Sequence, residues 1–173
     1  GRSYANQSAL TRSKGLFDQI NEELTKLGRE EITTFTNGLE HIYTDQFLRE
    51  IFTLGQFISV KANFMRINPA LVRQTLNYPW SGAMFSDRLW ANKERLGRNL
   101  RLGLTQSMIL GESLKDITKR INKGIDTEYY NAMRVARTET ARVTHVAHVH
   151  ALTDMEVKRV KYISANDGRV CKV

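Results

Sequence analysis

The sequence predicts a mainly α-helical fold, an elongated multi-helix bundle carrying a small β-hairpin at its C-terminus. Only two prolines, Pro69 and Pro79, occur in 173 residues and they fall close together, so long stretches are free to be helical. Apolar residues recur at three- and four-residue intervals along most of the chain, the period of a helix with one buried face. Near the end, Val and Tyr enrichment on both sides of an Asp-Gly step predicts the hairpin.

Taking the elements in order, "LFDQINEELTKLG" spaces Leu16, Ile20, Leu24 and Leu27 helically and closes on Gly28. In "EEITTFTNGLEHIYTDQFLREIFTLG", Ile32, Phe35, Leu39 and Ile42 run down one face, with an end expected before Gly55. "INPALVRQTL" reads as a short helix capped by Asn68, with Pro69 in the first turn, where its missing N–H costs nothing. "NYPWSG" reads as a turn. Residues 86–111 form the most legible helix: Leu89, Trp90, Leu96, Leu100, Leu104 and Met108 make one stripe, with Gly97 on it to admit a close neighbour. Arg88, Arg95 and Arg98 fall opposite, and Arg101 lies at the edge.

"SLKDITKRINKG" opens with Ser113 and Asp116 at capping-box spacing. It turns Leu114, Ile117 and Ile121 inward and is expected to end at Gly124. A last helix begins near Asp126 or Thr127 and runs to Asp154, after which "VKRVKYI" and "RVCKV" flank "SANDG" as the hairpin. The predicted organisation is an N-terminal helical arm (1–28), a helical body (29–153) and the start of a hairpin module (154–173). The chain opens on Gly1 and stops at Val173 inside that module, which reads as a piece of something longer.

The net charge is +8, and it is unevenly placed: −2 over residues 1–55, +6 over 56–104 and +5 over 114–173. A basic body behind a mildly acidic start suits a polyanion such as nucleic acid, or an acidic protein surface. The single cysteine, Cys171, excludes an internal disulfide framework and fits a reducing compartment. No apolar run is long enough to span a membrane, and the start carries no signal-peptide pattern.

The stretch "RVARTETARVTHVAHVHAL" (134–152) is where chemistry would reside if the chain had any. Val135, Ala136, Val143, Val146 and Ala147 share one face, with Glu139 and His150 inside it and Arg134, Arg137, His145 and His148 outside. Glu139 and His150 are separated by about 16 Å of helical rise, too far to share an ion. His145 and His148 share a face but lie outside any zinc-protease spacing. An acid on an apolar stripe must be paired or hydrogen-bonded. Arg137, Arg142, Arg169 or the backbone amides of the "NDG" turn are the candidate partners. The reading is a structural fastener tying the hairpin to the helix. With no nucleophile elbow, phosphate loop or paired carboxylates, no catalytic residue, metal or cofactor is assigned.

"FSDRLWANKERL", "GLTQSMILGESLKDITKRI", "RVARTETARVTHVA" and "KYISANDGRVC" occur in an order and spacing that resembles the tailed-phage minor head proteins. This is the head-morphogenesis family whose phage Mu representative is called F. The resemblance covers residues 33–173, and its most specific parts are Arg137-Thr138-Glu139 and the turn from Asp167 to Cys171. The chain departs from the family in having His145 where asparagine is usual. The family's second cysteine would fall just past Val173.

The resemblance implies a non-enzymatic structural protein of the virion, made in the host cytoplasm. It would sit on the capsid interior at the portal vertex, in contact with the portal protein, other head proteins and packaged DNA. It would act in head assembly and in DNA packaging or ejection. Non-sequence-specific binding of double-stranded DNA is expected from Arg88, Arg95, Arg98 and Arg101, with Lys119 and Lys123. Arg137, Thr138, Glu139, Asp167 and Cys171 are expected to be structural. The alternatives are a portal-binding adaptor that ignores DNA and a metal-dependent nuclease built on His145 or His148.

Overall fold

A computed structural model describes residues 2–57 and 67–161, with side chains from residue 11 onward. Among the described residues every regular element is a helix: α1 (Arg2–Phe57), α2 (Pro69–Leu76), α3 (Phe85–Leu110) and α4 (Leu114–Asp154). At the α-helical rise, the 56 residues of α1 span about 84 Å. The elongated helical architecture is as the sequence predicted.

The local start signals hold. Asn68 Oδ1 accepts the Ala70 N–H at 2.9 Å, and Pro69 occupies the first turn of α2. Ser113 Oγ accepts the Asp116 N–H at 3.3 Å and donates to Asp116 Oδ2 at 2.6 Å, opening α4. The α3–α4 turn closes on Gly111 at φ 63°, a left-handed conformation that glycine adopts without penalty.

Three expected helix ends are corrected. α1 passes through Gly28 and Gly55, and α4 passes through Gly124, without a break. An interior glycine costs roughly 1 kcal/mol, and at Gly28 packing outweighs that. A Cβ on Gly28 would lie 2.6 Å from Trp90 Cζ3, so the missing side chain is what lets the indole seat against α1. Gly124 packs against Leu96, where an added Cβ would stand at an ordinary contact distance of 3.5 Å from Cδ1.

α3 and α4 form an antiparallel pair, shown by the contacts of Leu96 with Gly124 and of Arg120 with Gly103. α1 runs antiparallel to α3, with Gly28 against Trp90 and Leu24 against Gly97. It runs parallel to α4, which it meets at Tyr43 and His150. The core joins Leu39, Tyr43 and Phe47 of α1, Val72 and Leu76 of α2, Phe85 and Leu89 of α3, and Val143, Ala147 and Ala151 of α4. Small residues on α4 let α1 approach closely there.

Three further expectations are corrected. The buried face of α3 includes Asn92, Lys93, Gly103 and Ser107, while Met108 at the end of the apolar stripe is exposed. Leu114, expected inside, is 79% exposed. The C-terminal hairpin is not supported: no strand occurs among the described residues. The Met155 N–H bonds Ala151 O at 3.0 Å, Glu156 N–H bonds Thr153 O at 3.0 Å and Val157 N–H bonds Leu152 O at 2.9 Å. Those donors close α4 instead of pairing a strand. The rest of the expected hairpin, including Asp167, Arg169 and Cys171, lies outside the described residues.

Candidate functional site

Glu139 is 1% exposed, and its carboxylate is the centre of a polar cluster that ties α4 to α3 and to the turn before it. Arg142 Nε donates to Oε2 at 2.8 Å, and Trp80 Nε1 donates to Oε1 at 3.0 Å. Arg88 Nη1 stands 3.8 Å from Oε1. Arg142 also donates from Nη1 to the Thr75 carbonyl at 2.9 Å, fixing the end of α2. Arg88 donates to Ser81 Oγ, and its guanidinium lies over the Trp80 ring at 5.7 Å from the centroid. A buried carboxylate is tolerated only when its lone pairs are taken up by charged or polar donors. Here Arg142 and Trp80 supply the hydrogen bonds and Arg88 adds a positive charge nearby.

Of the partners foreseen for Glu139, Arg142 is the one among the described residues that binds it. Arg137 and Thr138 are exposed on the other side of α4. The acid therefore pins α4 to the α2–α3 turn. Arg88, expected on an outward basic face, turns inward, because the carboxylate and the Trp80 ring together hold its charge better than solvent on that side of α3. Trp80 itself was not foreseen: it lies 59 residues from Glu139 in a segment that reads only as a turn.

A second buried ionic node joins α1, α3 and α4. Lys93, 4% exposed, places Nζ 2.6 Å from Glu31 Oε2 and 2.6 Å from Glu128 Oε1. Burial alone would push the ammonium pKa down, but the hydrogen bonds and charges of Glu128 and Glu31 outweigh it, leaving Lys93 raised above its ordinary value. At the other end of the bundle the Tyr43 hydroxyl and His150 Nδ1 share a 2.5 Å hydrogen bond. Burial, helped by the charge of Asp154, pushes the Tyr43 phenol up to about 12.

The remaining cations expected to meet a polyanion lie on the surface. Arg95, Arg98 and Arg101 are exposed on α3, and Lys119 and Lys123 are exposed on α4. Arg98 Nη1 is 3.6 Å from Glu94 Oε2, both well solvated, and Arg101 lies over the Phe17 ring at 5.1 Å. Lys123 shares the wall of an apolar cavity of about 210 Å³ with Asn99, Leu100 and Gly103. His145 is exposed, and His148 Nδ1 sits 3.0 Å from Glu50 Oε1. Among the described residues no three His, Cys, Asp or Glu side chains converge as a metal site, and no helix is long and apolar enough to cross a membrane.

Residues 98–173 match the family described as Phage Mu protein F like protein. Over 145 residues the chain is 25% identical to the NAD(+)–arginine ADP-ribosyltransferase EFV of Enterococcus faecalis. That likeness covers 83% of this chain and 30% of the relative, so the chain spans less than a third of the relative's length. No solved structure matches. The family match takes in the second half of α3 and all of α4, including the Arg137-Thr138-Glu139 segment, and it supports the phage head morphogenesis family for this protein.

Proposed function

We propose that this protein is a structural minor component of a tailed-phage head. It sits on the capsid interior near the portal vertex and contacts packaged double-stranded DNA without reading its sequence. It serves head assembly and the packaging or ejection of DNA, and it catalyses no reaction. The observation that carries the DNA contact is the exposed cationic row of Arg95, Arg98 and Arg101 on α3, extended by Lys119 and Lys123 on α4. Cations on long solvated stems neutralise phosphates and release counterions, which gives affinity without base discrimination. The non-catalytic reading is supported by Glu139, whose buried charge is directed at Arg142, Arg88 and Trp80.

The test is charge reversal of Arg95, Arg98 and Arg101 together, with duplex DNA binding followed by fluorescence anisotropy over a range of salt. Affinity is expected to fall, and the slope of log affinity on log salt to become shallower by about 0.9 for each phosphate that the protein no longer neutralises. An unchanged affinity and slope would overturn the DNA contact. The second reading, a portal-binding adaptor that ignores DNA, draws on the exposed apolar side chains at the α3–α4 turn. It predicts binding to the purified portal ring and no affinity for duplex DNA.

A further inference from the structure

The α3–α4 turn presents its apolar side chains to solvent. Met108, Ile109, Leu110 and Leu114 are 52%, 78%, 69% and 79% exposed. Contiguous large apolar side chains of this kind mark interaction surfaces. Just inside the turn, α3 and α4 part around the cavity of about 210 Å³, whose apolar walls include Leu100, Leu104, Ile117 and Ile121.

The charges around this surface are mostly positive. Both acids of the turn are engaged within it: Glu112 accepts from Ser107 Oγ at 2.6 Å and from Arg120 Nη2 at 2.5 Å, and Asp116 accepts from Ser113 Oγ at 2.6 Å. Lys115, Lys119 and Lys123 are exposed and have no acidic partner among the described residues. The surface is therefore apolar at its centre with a net positive charge beside it, Lys115, Lys119 and Lys123 outnumbering Asp116. Its complement is apolar at the centre and acidic at the rim.

We propose that the α3–α4 turn and the cavity beneath it receive an amphipathic helix of another head protein, one whose apolar ridge is flanked by Asp and Glu. The inference rests on the head-protein reading above, and it gives Lys119 and Lys123 to the partner helix, leaving Arg95, Arg98 and Arg101 to carry the DNA contact. A third helix laid along an antiparallel pair sets its ridge in the groove between them. Phosphates could satisfy the lysines but offer nothing to Ile109 and Leu114. A second copy of this chain fits less well, because the exposed apolar side chains of its α1 are flanked by both signs of charge, Leu16 and Leu27 by Lys14 and Lys26 beside Asp18 and Glu23, and Leu48 and Phe52 by Arg49 beside Asp45 and Glu50. A lipid surface fits the lysines, whereas a cleft with walls on two helices suits interdigitating side chains.

The test places the photo-crosslinker p-benzoylphenylalanine at Ile109 or Leu114 in the phage that encodes the protein, irradiates purified heads and sequences the crosslinked peptides. The expected product is one peptide of a different head protein, with apolar residues at helical spacing between acidic ones. In parallel, copies per head are counted by mass spectrometry for Ile109→Asp with Leu114→Asp, and for Lys115→Glu with Lys119→Glu. These positions are on the surface, so circular dichroism should match wild type. Incorporation should drop about tenfold or more for the apolar pair and less steeply for the lysine pair. Crosslinks to a second copy, to DNA or to lipid would overturn the inference, as would absent crosslinks with wild-type incorporation of both variants, and in those cases the head reading stands. Absence of the wild-type chain from purified heads would overturn the head reading and this inference together.

Discussion

Trp80 donates its indole N–H to Glu139 Oε1 over 3.0 Å, joining the α2–α3 turn to α4 across 59 residues of sequence. The bond explains how a carboxylate can be 1% exposed on a helix face made otherwise of Val and Ala. Arg142 neutralises its charge from the same helix, and Trp80 and Arg88 reach it from the preceding elements.

Removing that acid should unseat all of them. Glu139→Ala leaves Arg142 and Arg88 facing each other in a poorly hydrated site, and breaking a buried pair on one side costs about 3–5 kcal/mol. Glu139→Gln keeps an acceptor for the indole but not the charge, so its loss should be smaller. Urea unfolding followed by Trp80 fluorescence in a Trp90→Phe background orders the variants wild type, Gln, Ala. An Ala variant as stable as wild type would show the cluster to be incidental.

How much of this was legible depended on how local each cause is. The Asn68 cap and Pro69 were readable because both act within one turn. So was an acid on an apolar face with an arginine three residues on. Gly28 and Gly124 misled as helix ends, because the packing that carries the helices through them comes from Trp90 and Leu96, far away in sequence. Lys93 carried a signal that apolar counting discards: it lies between Leu89 and Leu96 on the same face, a charge that demands partners. Those partners, Glu31 and Glu128, sit on two other helices, and nothing local could name them. Arg88 was misplaced for the same reason, since the carboxylate drawing it inward belongs to α4.

The Lys93 node predicts a large loss on partial removal and a small one on complete removal. Lys93→Met alone leaves Glu31 and Glu128, 17% and 12% exposed, close together without a cation. It should cost about 3–5 kcal/mol. Replacing all three, with Glu31→Leu and Glu128→Leu added, should recover most of that loss, because apolar side chains of similar volume carry no desolvation penalty. Thermal melts of the single and triple variants check this, and a triple variant worse than the single would mean that the ionic node itself specifies the packing.

Glycines along α1 should respond in opposite directions to alanine. Gly38 and Gly15 have nothing within 4 Å of an added Cβ, so Gly38→Ala and Gly15→Ala should gain roughly 0.5–1 kcal/mol of helix propensity. Gly28→Ala puts a methyl 2.6 Å from Trp90 Cζ3 and 2.9 Å from Cη2. The ring is held between α1 and α3, and displacing it should cost about 1–3 kcal/mol. Chemical denaturation resolves the sign for each variant, and stabilisation by Gly28→Ala would mean that the indole shifts freely.

Alkaline pH should weaken the bundle through two groups whose folded pKa is raised. For each, the unfolded chain releases its proton first as pH rises, so the stability it contributes is fully present below the unfolded pKa and is lost as pH climbs through the folded one. For Tyr43 that window runs from its ordinary 10.0 to about 12. Lys93 adds a loss of the same sign above its ordinary 10.5. Unfolding free energy measured from pH 8 to 12 should therefore hold and then fall beyond pH 10. Tyr43→Phe gives up the hydrogen bond to His150 and starts from a lower stability, but with no phenol to titrate its curve should fall less steeply. Equal slopes for Tyr43→Phe and wild type above pH 10 would show that the phenol is not what the alkaline loss reports.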